Sequence, residues 1–227
     1  NAAKKLDILR HLFCTKNIMH LTTRFTHILS LQLNVWTALL TLELKYGNDK
    51  PDLRFDLEIK DVTEVFTNSG FSIFANSIEK GSVVRAIPGP ECGSRSVADR
   101  MNSWAQSEGA PGMGYIIYSE STAKGPVANA LGIEKALSMR DLFNLKDGDA
   151  LFFSCAKEND AASLAGKARV KIATDKKLIK ENIFKFCWIV DYPMFEKDEN
   201  TGNIEFSHNP FSMPQGGMDA ILNKDPL

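Results

Sequence analysis

The sequence predicts an α+β fold, with short strands and helices interleaved in one unit between about Phe71 and Asp175. Three observations predict it. Apolar residues make up 44% of 227, enough to bury a proper core. Runs of β type, such as Ser82–Ile87, Tyr115–Tyr118 and Ala150–Cys155, are each only a few residues long. Between them lie stretches of helical spacing, the clearest placing Val97, Met101, Trp104 and Ala105 at i, i+4, i+7 and i+8. Short strands alternating with helices in this way form a compact unit of domain size.

The elements follow in order. Up to about Lys45, a helical pattern (Leu6, Leu9, Leu12, Phe13) precedes a Thr- and Leu-rich run with the partial alternation of a strand. Tyr46 to Phe55 crowds Gly, Asn, Asp and Pro together, which predicts a loop with an extended exit. Asp61-Val62-Thr63-Glu64 fits a capping box, with the Asp61 carboxylate accepting from the Glu64 amide, ahead of a short helix to about Asn68. Phe71–Ala75 and Ser82–Ile87 read as strands, closed by Pro88-Gly89-Pro90. Ser96 is placed to cap the helix of the Val97 stripe, which ends at Gly109 and faces a core. Tyr115–Tyr118 is a strand, Gly125-Pro126-Val127 turns into a helix, and Asp147-Gly148-Asp149 turns into the apolar strand Ala150–Cys155. Asn159 or Asp160 starts a helix running to about Asp175.

Composition excludes several functions. A formal charge of −1, from 27 basic and 28 acidic residues, leaves no global field to draw in a polyanion such as RNA. A local patch remains open: Lys167, Arg169, Lys171, Lys176, Lys177, Lys180 and Lys185 fall close together, yet Arg169 points away from the Lys167–Lys171 side of a helix, so a solvated face is the simpler reading. Cys14, Cys92, Cys155 and Cys187 are far apart and make no metal-ligand spacing, as expected of reduced thiols in the cytosol. The most apolar stretch, Ile28–Leu44, is interrupted by Ser30, Gln32, Asn34, Thr37, Thr41 and Glu43, so no membrane span is expected. The Asn1 start, without an initiator Met or a signal core, is that of a chain beginning inside a longer or processed product.

The last third differs. Phe186–Asp191 is a nearly continuous apolar run suited to a strand covered on both faces, and it stops at Tyr192-Pro193. Asp198 to Asn203 is a hairpin-type turn, with Ile204-Glu205-Phe206 as the returning partner strand. This arrangement sets Asp191 and the cluster Ser207-His208-Asn209-Pro210-Phe211 at opposite ends of the hairpin. His208 is either a structural hydrogen-bonding group or a donor to a carboxylate near neutral pH.

Tyr46–Phe55 (YGNDKPDLRF), Phe184–Glu196 (FKFCWIVDYPMFE) and Phe206–Gly217 (FSHNPFSMPQGG) resemble three successive landmarks of bacterial-type aspartyl-tRNA synthetases, in the family's order and spacing. The resemblance covers Tyr46–Leu227. It implies a GAD-type insertion domain of interleaved strands and helices, marked by Lys124-Gly125-Pro126-Val127 and Lys146 to Phe153, flanked by pieces of a class II antiparallel catalytic sheet. The implied division is 1–45 unassigned, 46–70 a catalytic-domain segment leading into the insertion, 71–175 the GAD domain, and 176–227 a second, incomplete catalytic-domain segment. His208 matches the position that contacts the substrate L-aspartate, and Asn209 matches one that is often a second histidine.

The implied reaction joins aspartate to the α-phosphate of ATP, giving an aspartyl-adenylate, and then transfers the aspartyl group to tRNA. Arginines and Mg²⁺ neutralise phosphate charge in both steps. No residues match motifs 1, 2 or 3 or the anticodon-binding barrel, so no ATP-binding and no metal residues are assigned. ATP and Mg²⁺ are expected to act in the complete enzyme, a cytoplasmic homodimer in this family, and the isolated chain is expected to be inactive. The alternative is a free-standing GAD-type module binding RNA or a protein partner.

Overall fold

The computed structural model describes residues 32–120, 122–190, 193–198, 201–207 and 216–224. The helix expected at Leu6–Phe13, and Asp191, Tyr192, His208, Asn209, Pro210 and Phe211, lie outside them. In chain order the elements are β1 (Gln32–Ala38), α1 (Leu39–Tyr46), β2 (Lys60–Asp61), α2 (Thr63–Phe66), α3 (Ser72–Glu79), β3 (Val83–Gly89), α4 (Arg95–Ser107), β4 (Gly114–Ser119) and β5 (Thr122–Lys124). There follow α5 (Pro126–Leu131), α6 (Ile133–Leu142), β6 (Ala150–Ala156), α7 (Glu158–Asp175), β7 (Lys185–Val190), β8 (Phe195–Lys197), β9 (Ile204–Phe206) and α8 (Gly217–Asn223).

Five strands form one antiparallel sheet in the order β2-β3-β6-β4-β5. Its central strand β6 pairs Phe152 with Ile87 and Tyr115, and Phe153 with Ala86 and Gly114. Successive side chains point to opposite faces, and both faces are covered, so residues 150–154 are all buried. On one face Phe152 and Ile87 pack under α4 and α7 through Ala98, Met101, Ala105, Ala165, Ala168 and Ile172. On the other, Phe153, Ala86 and Ile116 pack under α2, α3, α5 and α6 through Phe66, Phe74, Val127, Leu131 and Met139. Each fully buried Phe contributes about 1.5–3 kcal/mol of transfer free energy. Edge-to-face rings join the second layer, Phe66 lying 5.0 Å from Phe74 and 5.3 Å from Phe153.

Several local expectations are corrected. Phe71–Ala75 is not a strand: Ser72–Glu79 is helix, because Phe71, Phe74 and Ile78 follow helical spacing on the aromatic cluster. A window of five residues could not separate the two periods. Strand character ends at Ala38, and Leu39–Tyr46 is helix, with Leu42 fully buried. The capping box does not form. Asp61 belongs to β2, and its carboxylate accepts from the Thr63 amide at 2.8 Å and from Arg85 at 2.7 Å. Helix α4 is capped by Ser94 rather than Ser96, the Ser94 hydroxyl accepting from the Val97 amide at 3.3 Å. Pro88 and Gly89 complete β3 instead of leaving it. The buried stripe of α4, the Pro126 start of α5, strand β6 and the extent of α7 agree with the sequence reading.

Candidate functional site

The approach to His208 is built by β8, β9 and the chain before them. Strand β9 pairs with Phe195–Lys197 and not with Phe186–Asp191, which corrects the expected hairpin. Asp198 forms its turn, accepting from the Thr201 amide at 2.6 Å, while Gly202 takes a φ of +70° that a side chain would disfavour. The Phe195 and Phe206 rings, 4.8 Å apart, close the ribbon. The Ser207 amide then donates to the Met194 carbonyl at 3.2 Å, and its hydroxyl donates to the Pro193 carbonyl. Ser207 is therefore tied to Pro193 and Met194 at one end of the ribbon, while the placement expected for Asp191 and His208 lies outside the described residues. The Pro193 break, which splits the apolar run from Phe195, was the signal for this shorter hairpin. Strand β7, whose Phe186 and Trp188 are half-exposed, pairs in parallel with β1.

Four members of the basic run are engaged by partners of their own. Lys167 pairs with Glu108 at 2.8 Å, Lys171 with Asp175 at 3.1 Å, and Lys176 donates to the Glu91 carbonyl. Arg169 leaves the surface altogether and is fully buried. Its guanidinium lies 4.0 Å from the Phe55 ring centroid and 4.7 Å from that of Tyr46. Nε donates to the Leu57 carbonyl at 2.5 Å, and Nη2 to those of Asp52 and Phe55 at 2.9 and 3.1 Å. Burial pulls the guanidinium down to about 10, so it is still a cation at neutral pH. Sequence reading missed this role, although the buried stripe Ala161, Ala165, Ala168 and Ile172 placed position 169 on the inner side of α7.

The loop held by Arg169 has its own charge geometry. Arg54 grips Asp52 through two nitrogens, at 2.9 and 2.6 Å, which holds the Asp52 carboxyl below the usual carboxylate range. A second buried cation, Arg85, spans Asp61 at 2.7 Å and Glu158 at 2.6 Å, tying β2 to the start of α7. A cleft of about 390 Å³ opens beside it, between Glu43, Asp49 and the first turns of α7. Burial pushes the Cys92 thiol up to about 11 and raises that of Cys155, so both are poor nucleophiles. Among the described residues no group of three or more His, Cys, Asp or Glu side chains could hold a metal ion, and no helix is long and apolar enough to cross a membrane.

Residues 74–165 match the GAD domain family, on the sheet and helices described above. The chain is 54% identical over 186 residues to the aspartate–tRNA(Asp/Asn) ligase of Paramagnetospirillum magneticum, covering 81% of this chain and 21% of that protein. Over four fifths of its length, this chain is homologous to a segment of the bacterial aspartate–tRNA ligases. The ligase of Acidiphilium cryptum is also 54% identical over 186 residues, covering 81% of this chain and 31% of the relative. That of Gluconobacter oxydans is 50% identical over 184 residues, covering 80% and 31%. The chain thus spans between a fifth and a third of the length of these curated relatives. The strand and helix content, with its antiparallel sheet, agrees with a GAD domain embedded in ligase sequence.

Proposed function

We propose that this chain is the insertion-bearing segment of an aspartate–tRNA ligase, which forms aspartyl-adenylate from L-aspartate and ATP and passes the aspartyl group to tRNA. The observation that carries the reading is the identity of 54% over 186 residues, running beyond the GAD domain on both sides. Within the segment, His208 is the aspartate contact and Asn209 its supporting neighbour. They follow in sequence on Ser207, whose amide and hydroxyl donate to the Met194 and Pro193 carbonyls. ATP and Mg²⁺ serve the whole enzyme. The described residues offer Mg²⁺ no carboxylate cluster, and no step through either group is derived for this segment. The whole enzyme is read as a cytoplasmic homodimer.

The test is a chimera in which residues 46–227 replace the corresponding segment of the Acidiphilium cryptum ligase. Aspartate-dependent ATP–pyrophosphate exchange and tRNA charging are expected to persist. His208→Ala is expected to raise the aspartate KM at least roughly tenfold, as befits loss of a hydrogen bond to a charged group worth about 1.5–3 kcal/mol. A folded but inactive chimera contradicts the reading. The isolated chain is expected to give no exchange, and detectable exchange from it would contradict the assignment of ATP binding to other segments.

A second reading is favoured by the sheet unit, which has a complete core on both faces: a free-standing module binding RNA or a protein. A salt-sensitive tRNA gel shift, lost on charge reversal at Lys167, Lys171 and Lys177, would favour it. The ion pairs of Lys167 and Lys171 count against those residues as a phosphate track.

A further inference from the structure

We propose that Arg169 is a lock that holds the loop 46–57 on helix α7, so that this flanking segment and the GAD domain behave as one body. The lock lies outside the stretch that matches the domain family, which ends at residue 165.

Two features on neighbouring turns of α7 carry the proposal. The first is the guanidinium, lying over the rings of both Phe55 and Tyr46 and donating to three carbonyls, those of Asp52, Phe55 and Leu57. A planar cation with several fixed donors suits this seat, and a lysine ammonium cannot stack on both rings while reaching three acceptors. The second is Gly166, where an added Cβ would fall 2.9 Å from the carbonyl oxygens of both Tyr46 and Gly47. The loop answers with Gly47, at a φ of +75°, where a Cβ would sit 2.3 Å from the Ala162 carbonyl oxygen. Backbone thus lies directly on backbone at 47 and 166, and the guanidinium pins the loop a turn further along.

Helix α7 packs on the sheet through Ala165, Ala168 and Ile172, and the segment it holds joins the same buried cluster through Phe55 and Leu57; the guanidinium adds polar anchors at the edge of that cluster. Removing the cation leaves three carbonyls in need of water, which the loop can admit by lifting away. Gly166→Ala makes the complementary case. It favours helix α7 intrinsically, yet drives a methyl into the loop backbone.

Hydrogen–deuterium exchange on the whole 227-residue chain, with trypsin as a second probe of the Arg54–Phe55 bond, tests the proposal. The parent is expected to resist cleavage there, since Phe55 is buried. Arg169→Met and Gly166→Ala are each expected to speed exchange across 46–58 at least tenfold and to open Arg54–Phe55, with the β3 and β6 amides changed less than twofold. Arg169→Lys falls between. Unchanged exchange across 46–58 overturns the proposal, and so does acceleration of β3 and β6 in step with the loop, which would make Arg169 an ordinary core residue. If Arg169→Met fails to fold, Gly166→Ala decides: an opened loop over an intact sheet supports the lock, and a closed loop overturns it.

Discussion

The sheet unit and the last third of the chain use apolar residues in opposite ways. In the first, β6 buries every residue from Ala150 to Ser154 between two helical layers. In the second, Phe184, Phe186, Trp188, Phe206, Met218 and Leu222 are all about half exposed or more. Among the described residues after Ala173 none is buried. The two regions do not differ in apolar character but in whether their apolar faces meet a second layer. A sheet with helices on both faces is self-supporting, whereas two-stranded ribbons such as β8-β9 are marginal by themselves. The part of the chain carrying the proposed aspartate contact is therefore the part with least support of its own.

The largest expected break in this contrast is Phe152→Ala. It empties the centre of one layer and is expected to cost about 3–5 kcal/mol in urea unfolding followed by far-ultraviolet circular dichroism. The matched substitutions Trp188→Ala and Phe206→Ala remove comparable rings from exposed sites, and are expected to leave the same transition unmoved within about 0.5 kcal/mol. A loss at Trp188 as large as at Phe152 would mean the two regions share one core. Next in size is Ser94→Ala, which removes the cap of α4 and is expected to lower stability by about 1 kcal/mol, whereas Ser96→Ala changes little.

A further expected effect concerns pH. The fold prefers the neutral Cys92 thiol, whose titration burial moves up to about 11. That preference is fully present below the ordinary thiol value, near 9, and is lost as pH rises from there towards 11. Urea midpoints are expected to decline across that window and to decline less in Cys92→Ala. An identical decline in both chains would assign it to other groups.

How far the sequence was legible follows the same division. The Val97–Ala105 stripe, the apolar β6 and the Pro126 turn were readable because period and breaker residues agreed there with packing. Three readings failed for physical reasons. Phe71–Ala75 was too short a window to tell helix from strand. Asp61 was drawn to the buried cation Arg85, a long-range partner that local spacing cannot reveal. Arg169 was counted as surface charge because its aromatic and carbonyl partners lie more than a hundred residues away in sequence. At the candidate site, the assignment of His208 and Asn209 rests on resemblance to a family and not on local patterning. Local patterning gave the turn at Asp198–Asn203 but mistook its first strand, since Pro193 separates Phe195–Lys197 from the longer apolar run.

Limited trypsin digestion of the whole chain, with fragments identified by mass spectrometry, tests the central contrast most directly. Early cleavage is expected at basic residues after Asp175, such as Lys180, Lys185 and Lys197, leaving a resistant fragment that runs from the loop 46–57 through α7. A chain protected equally throughout, or first cut within β3 at Arg85 or elsewhere in the sheet unit, would contradict the claim that one region stands alone and the other does not.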